Sequence, residues 1–542
     1  MLGTAGALAA QVFTWLLRGS TWLFLGKLAG YRPPGLPSDG GLAQELIGPY
    51  GVWLVPLATT LGGLLVGLLI AKVAPEAEGH GTDTVVRAFH RAGGFLRGRV
   101  APVKVLASAI TIGSGGSAGR EGPIALTAAG IGSWYAGLTG RSEGERRLLL
   151  LTGMAAGLAA IFRSPVGTAL FAIEVLYADM EFESSALLYT MLASIVAYAI
   201  NGLFVGWQPL FRISTPLALP SPWSNAWYLV LGVAAGVLGT YVPLVFYRIR
   251  DVFRALPVHP ALKPALGGLL MGALALVVPD VIGGGYGWMQ AAIDGRLALG
   301  TLAILALAKP LALSLSVASG GSGGVFAPSL FAGGMLGGLL AGLVHLPAAP
   351  FVVVGMAAMF AGAARVPIAT LVMVTEMTGG YTLLVPAALA VMLSYLVQRL
   401  LAARVRYRSL YEGQVGNRAD SPAHHSEHLR IALRILKDRQ VLNPAEVGQL
   451  DLVSLMRSGI PVELPGERRL TIGVLRPEST FVGQPLGAEE VSLTGDTSVI
   501  GIIRGERMLP PRPDTTLEAG DRLILLTTRT ALERLRPHLD KW

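Results

Sequence analysis

Two glycine-rich segments and one glutamate are the residues of this chain best suited to chemistry. Ser114-Gly115-Gly116-Ser117-Ala118-Gly119-Arg120-Glu121-Gly122-Pro123 and Ser319-Gly320-Gly321-Ser322-Gly323-Gly324-Val325-Phe326-Ala327-Pro328 each run from small residues into a proline and then an apolar stretch. Proline is tolerated in the first turn of a helix, where its missing N–H costs nothing. Glycine before it lets bare backbone amides approach a ligand. A helix start presents unpaired N–H groups and about half a positive charge. Two such starts that converge form an anion site without a fixed cation, and a halide, spherical and monovalent, suits it. For either segment alone, close packing explains the glycines equally well; two in register favour the site. Glu121 puts an ionisable group into one of these starts. A carboxylate at the centre of a bilayer costs about 2.5–3.5 kcal/mol by insertion scales, so Glu121 is paired, protonated or functional. Either Arg120 pairs with it, or the carboxylate occupies the anion pathway and leaves when protonated or displaced, which couples flow to pH or to proton movement.

The elements that must position these groups are membrane helices. Of the 542 residues, 52% are apolar and only 14% charged, against roughly 25% charged in an average soluble protein. Residues 50–71, 185–206 and 227–246 carry no charge, and residues 310–364 hold no Asp, Glu, Lys or Arg. A bilayer span takes about 20 such residues. The chain is therefore a polytopic integral membrane protein, expected to be all-α in the bilayer. The 70 glycines suit close helix packing and broken helices at membrane depth. The net charge of +9 reads as loop arginines obeying the positive-inside rule, not as a nucleic-acid surface. Cysteine is absent, which excludes disulfides and thiolate metal sites. The apolar run at residues 5–17 has no basic residue before it; it makes a poor signal peptide and reads as part of a first membrane-associated helix.

An internal repeat organises this part. The two glycine-rich segments agree at six of ten positions, 205 residues apart, and each follows a lysine, Lys104 or Lys309, at the same distance. Further on, Gly153, Arg163, Pro165, Thr168 and Glu174 recur 202 residues later as Gly355, Arg365, Pro367, Thr370 and Glu376. The duplicated units are expected over about residues 50–206 and 227–401. Duplicated units broken by Gly and Pro in corresponding places are the sign of secondary-transporter folds. Whether the units are inverted or parallel is not settled by hydropathy.

These residues carry a family resemblance. Gly119-Arg120-Glu121-Gly122-Pro123 resembles the GREGP motif of CLC chloride channels and proton/chloride antiporters, whose glutamate is the gate. Gly324-Val325-Phe326-Ala327-Pro328 resembles their GxFxP motif, whose amides bind the central anion. Residues 74–83 resemble the segment leading into their GSGIP motif, and Ser409-Leu410-Tyr411-Glu412 the final membrane segment with its ion-coordinating tyrosine. The resemblance runs in order over about residues 50–412. It implies an inverted-repeat membrane fold, a homodimer with one pore per subunit, Glu121 as gate, and an anion site built by His80, Gly81, Gly119, Arg120, Glu121, Gly122, Val325, Phe326 and Tyr411. Two departures stand out. His80-Gly81-Thr82-Asp83 replaces Ser-Gly-Ile-Pro, so an imidazole stands where a serine contacts the ion; it can still donate to an anion, but chloride-over-nitrate preference is open. Val175 stands where the family's antiporters place an inner proton-passing glutamate, with Glu174 one residue earlier. Glu174 recurs as Glu376, which argues for a structural role.

Composition changes near Tyr411, and the basic cluster Arg399, Arg404, Arg406 and Arg408 places the following tail in the cytoplasm. The expected organisation is a membrane domain over 1–412, a linker or helical connector over 413–463, and a small α+β regulatory domain over 464–542. Strand-type patterns at 470–475, 499–504 and 520–526 and a closing helix near 530–539 resemble the TrkA-C (RCK-C) domain of potassium-transport regulators. That resemblance implies dimerisation and leaves two readings: a small ligand such as a nucleotide or cyclic dinucleotide, or a dimer element without ligand. No cofactor is expected beyond chloride in the pore. The function expected is a chloride channel of CLC type in the cell membrane, with proton-coupled chloride antiport as the alternative. A cation/proton antiporter would need acidic residues lining its site. An enzyme finds no nucleophile–base spacing or metal motif.

Overall fold

The computed structural model describes residues 1–36, 44–213, 224–424, 462–464, 468–488, 497–504, 507–535 and 537–540. Most of the connector expected over 413–463 lies outside these residues. Two compact units divide near Gly416.

In the membrane unit the described helices fall into two sets of eight. The first is α1 (Leu2–Thr21), α2 (Val55–Val73), α3 (Thr82–Arg91), α4 (Val100–Gly113), α5 (Glu121–Leu138), α6 (Glu143–Phe162), α7 (Pro165–Glu174) and α8 (Leu187–Val205). The second is α9 (Ser224–Ala255), α10 (Lys263–Val277), α11 (Tyr286–Ile293), α12 (Leu299–Leu313), α13 (Phe326–Leu343), α14 (Ala348–Ala364), α15 (Pro367–Thr378) and α16 (Leu384–Ala402). Packing repeats between the sets: α5 lies on α6 as α13 lies on α14, and α1 lies on α6 and α8 as α9 lies on α14 and α16. Helix α2 packs on its own counterpart α10, and α7 on α15, as a two-fold axis between the sets requires. The first unit thus begins with α1, well before the boundary near residue 50 that sequence suggested. Helices α1 and α9 share none of the Gly, Pro and Glu landmarks that reveal the repeat elsewhere.

Seven described helical stretches, including 55–73, 226–255 and 326–343, are long and apolar enough to cross a membrane, while 100–113, 165–174, 348–364 and 367–378 are shorter. The short ones end where glycine or proline punctuates the sequence. Pro165 and Pro367 each start a helix, and Arg163 and Arg365 close the preceding helices in left-handed conformation at φ 54° and 57°. Residues 409–416 return into this unit: the Leu410 amide donates to Ala363 O at 2.9 Å and the Ala178 amide to Val415 O at 2.9 Å. The membrane unit therefore extends past the expected boundary at residue 412.

The C-terminal unit holds an antiparallel sheet. Strands β3 (Val462–Leu464), β4 (Arg468–Leu475), β5 (Ser498–Arg504), β6 (Arg507–Leu509) and β7 (Arg522–Thr528) lie in the order β3-β4-β7-β5-β6. (The strand numbers start at β3 because residues 31–32 and 46–47 form a small pair, β1 and β2, in the membrane unit.) Leu475, Phe481, Ile502, Leu517, Leu523, Leu525, Leu535 and Leu539 form its core. Arg504 fastens the loop before β7, donating to Asp521 at 2.9 and 2.8 Å and to Thr516 O at 2.6 Å, and the Asp521 carboxylate raises its already high pKa. The closing helix, α17, spans Arg529–Leu535 and is shorter than the sequence suggested. Pro537 disfavours helix in the residue before it, and Leu539–Asp540 instead form a strand, β8, on β4.

Candidate functional site

The site is built where corresponding residues of the two sets meet. The Gly119 amide donates to Gly324 O and the Gly324 amide to Gly119 O, both at 2.8 Å. Gly119 and Gly324 are equivalent in the repeat, so this reciprocal antiparallel pair lies on the two-fold axis. Two buried lysines hold the flanking loops in the same equivalent way. Lys104 Nζ donates to Ala77 O at 3.0 Å and Gly79 O at 2.5 Å. Lys309 Nζ donates to Val281 O and Gly283 O, both at 2.7 Å. An ammonium bound to carbonyls is an affordable way to bury a charge, because its donors are used. In the sequence these lysines stand out as two isolated cations at equal distance from the two motifs, which is the signal that they shape the site.

Helices α5 and α13 start on either side of the glycine pair. Glu121 begins α5, but its carboxylate lies at the start of α13, where Oε1 accepts from the Phe326 amide at 2.5 Å and the Ala327 amide at 3.2 Å. The residue is 4% exposed, and Oε2 has no hydrogen-bond partner. Glycine is required around it: a Cβ on Gly119 would lie 2.0 Å from Glu121 Oε2, and one on Gly324 2.2 Å from Oε1. The carboxylate thus occupies the amide cradle that the sequence assigned to an anion. Arg120 points elsewhere; its guanidinium lies 4.8 Å from the centre of the Tyr286 ring.

His80 precedes α3 and is buried, with Nδ1 unpartnered. Its backbone packs on the residue after Glu121: a Cβ on Gly122 would fall 1.7 Å from His80 O. Gly81, at φ 87°, turns the chain into α3. The imidazole faces Tyr411, ring centres 5.4 Å apart, and Phe246 at 6.0 Å. Tyr411 is buried and faces Phe171 at 6.5 Å, and Phe171 faces Phe326 at 6.4 Å. The structure therefore gathers His80, Gly81, Gly119, Glu121, Gly122, Phe326 and Tyr411 around one locus, with the Val325 residue capping α13. Phe171 and Phe246 are additions that sequence analysis missed, since lone aromatics in apolar helices carry no signal.

Two cavities flank the locus. One, about 370 Å³, is lined by residues that include Glu78, Gly79, His80, Arg250, Val317 and Glu412. The other, about 440 Å³, is lined by residues that include Arg18, Ile112, Arg120, Gly283 and Tyr286. They correspond through the repeat: Gly79 to Gly283, Val317 to Ile112, and α9 to α1.

Glu174 and Val175 lie apart from these groups. Glu174 accepts from the Ile368 and Ala369 amides at 3.1 and 2.6 Å, which caps α15. Glu376 accepts from the Val166 and Gly167 amides at 3.3 and 2.9 Å and from Ser164 Oγ at 2.6 Å, which caps α7. Each set's glutamate thus caps the other set's helix. Val175 follows α7 and is buried.

The chain matches the family model described as voltage gated chloride channel over residues 62–399, and that of the TrkA-C domain over residues 471–540. A putative chloride channel protein, ClcB-like, of Ralstonia nicotianae is 32% identical over 412 residues, covering 73% of this chain and 91% of that one. The H(+)/Cl(−) exchange transporter ClcA of Citrobacter koseri is 32% identical over 388 residues, covering 68% and 81%. Among solved structures, a CLC-type fluoride/proton antiporter aligns with a TM-score of 0.65 at 21% identity, over 77% of this chain and 96% of that one. A slow cyanobacterial Cl−/H+ antiporter aligns at 0.64 and 21%, over 75% and 94%. The chain belongs to the CLC family of anion-transporting membrane proteins, with the inverted-repeat fold expected and a C-terminal TrkA-C domain. With inverted repeats, cavities that correspond through the two-fold axis open on opposite sides of the membrane.

Proposed function

We propose that this chain exchanges chloride for protons across the cell membrane, with Glu121 as the group that both ions displace or load. The observation that carries the proposal is the Glu121 carboxylate seated on the Phe326 and Ala327 amides. As an anion it holds the cradle; protonated, it loses the charge that the helix start attracts, and a chloride takes its place. Exchange replaces the channel expected from Val175. Support comes from the relatives of about 31–32% identity named as exchange transporters, although another relative is named a putative channel. Val175 removes one relay and leaves the gate intact.

In this proposal the 370 Å³ cavity beside Glu412 is the inner vestibule, since the basic cluster from Arg399 to Arg408 puts that end in the cytoplasm. The TrkA-C domain then lies in the cytoplasm too, as a regulatory domain that takes a small ligand or pairs with a second copy. Domain limits near 1–416 and 464–542 fit these assignments. Helices α8 and α16 expose apolar residues such as Leu188, Leu192, Val385 and Leu396, which lipid or a second subunit of a homodimer with one pore per subunit would cover. Sealed proteoliposomes under a chloride gradient test the exchange. Uphill proton uptake coupled to chloride efflux is expected; chloride efflux without it would return the chain to the channel class.

A further inference from the structure

If chloride is exchanged for protons, protons must reach Glu121 from the inner vestibule, and the family's usual relay position is Val175. Valine neither binds nor releases a proton. Glu174 is held by two amides at the start of α15, and moving it would uncap that helix. The proton needs another titratable side chain that touches both the vestibule and the locus of Glu121.

We infer that His80 is this group: the inner proton-transfer residue, which takes a proton from vestibule water and delivers it towards Glu121. Three observations carry the inference. His80 lines the vestibule. Its backbone lies against Gly122, the residue after Glu121. And its Nδ1 has no hydrogen-bond partner, as Glu121 Oε2 has none. A buried polar atom without a partner is costly, and a proton or a water brought to either atom relieves it. In the transfer an N–H bond forms on the imidazole as a hydronium ion of the vestibule gives up a proton and becomes water. That bond breaks as the proton passes, through intervening water, into the new O–H bond of Glu121, and the ring returns to its neutral state. Imidazole suits the task because one ring nitrogen can accept a proton while the other releases one.

The charged groups around His80 are largely engaged with others. Lys104 is held by Ala77 and Gly79 carbonyls, Arg87 pairs with Asp83 at 2.6 Å, and Arg250 pairs with Glu412 at 2.6 Å. Glu76 pairs with Arg97, and Glu78 lines the vestibule. From α9 and the 409–416 segment, the nearest faces are the rings of Phe246 and Tyr411. The vestibule carboxylates Asp83, Glu412 and Glu76 are thus held in ion pairs, and the imidazole is the titratable group that joins the vestibule to the rings of the locus.

The test is the ratio of protons to chlorides carried in proteoliposomes, which is independent of how fast either moves. The wild type must first show coupled proton uptake; if it does not, the exchange proposal fails and this inference falls with it. Given coupling, His80→Gln keeps hydrogen-bonding capacity but cannot relay. Positioned proton transfer is worth about 10²–10⁴-fold, so the ratio should fall by about a hundredfold or more. If His80→Gln carries no chloride, His80→Ser, the residue usual at this motif position, replaces it in the same measurement. His80→Glu should restore part of the ratio. A wild-type ratio in His80→Gln, with wild-type coupling intact, would overturn the relay and leave the exchange standing.

Discussion

Glu121→Gln tests the gate most directly, and the structure sets its size. In the seated state Oε1 takes two amides, at 2.5 and 3.2 Å. Hydrogen bonds to a charged group contribute about 1.5–3 kcal/mol and neutral ones about 0.5–1.5 kcal/mol. Exchanging carboxylate for carboxamide therefore weakens each by about 1–1.5 kcal/mol, or about 2–3 kcal/mol for the pair. At about 1.4 kcal/mol per tenfold, the side chain should occupy the cradle about 30- to 100-fold less against a competing anion. The sign with pH follows from charge. Protonating Glu121 discharges it, so lowering the pH frees the cradle in the wild type, and the glutamine variant is free at every pH. Chloride efflux from proteoliposomes from about pH 4 to about pH 8, across the range in which a glutamate titrates, should rise on acidification in the wild type and stay nearly flat in Glu121→Gln. Proton uptake should vanish in the variant. A variant that keeps the wild-type pH response would show that another group gates the pathway, and the seated carboxylate would have no part in the control.

Gly119→Ala should act like a partial Glu121→Gln, because the new Cβ would meet the Glu121 side chain first, 2.0 Å from Oε2; efflux near neutral pH should rise several-fold, and an unchanged rate would show that the carboxylate adjusts in place. Glu174→Gln should lower thermal stability in detergent, since two charged hydrogen bonds to α15 are weakened by about 2–3 kcal/mol in total, while the proton-to-chloride ratio holds; a changed ratio would put Glu174 on the proton route. Lys104→Met and Lys309→Met each strip two buried carbonyls of their donor, at about 1–3 kcal/mol apiece, and should lower the melting temperature to a similar degree. Only Lys104→Met should also change the chloride-to-nitrate preference, because Lys104 holds the loop that carries His80; equal effects on selectivity would count against His80 at the ion.

Much of this was legible in the sequence because the repeat is marked by residues that cannot be swapped silently. Glycines at 119 and 324, prolines at 165 and 367 and glutamates at 174 and 376 keep register across more than 200 positions, and each has a backbone task in the structure. The membrane class and the two equivalent helix starts followed from them, while for Glu121 the sequence left two places open, beside Arg120 or in the anion pathway. What escaped was set by pairing between distant segments. The recurrence of Glu174 as Glu376 suggested a structural role, but not that each caps the other set's helix. The lysines were visible, but their carbonyl partners lie 25 to 28 residues away. Helix α1 was legible as a helix but not as a counterpart of α9, because the Pro and Glu landmarks that mark the repeat elsewhere do not recur between them.

The comparison between the two sets also separates scaffold from function. Where they agree, the residues build: Lys104 and Lys309 clamp loops, Gly119 and Gly324 pair on the axis, and Arg163 and Arg365 close helices at nearly the same φ. Where they differ, the residues surround the Glu121 carboxylate. Glu121 corresponds to Phe326, Arg120 to Val325, Gly122 to Ala327 and His80 to Gly284, while Tyr411 follows the second set. A two-fold site would treat both sides of the membrane alike: an ion would meet the same groups from either direction, and a proton would find either no relay or two. Exchange needs one carboxylate that leaves one helix start to occupy the other, and one imidazole facing one vestibule. The glutamate has to be single, because two carboxylates competing for two cradles across the axis would repel each other and exclude the anion. Phenylalanine at 326 supplies what the second position needs, an amide for the carboxylate with no charge of its own. The departures from symmetry are few, and they fall on the residues through which ions and protons would pass.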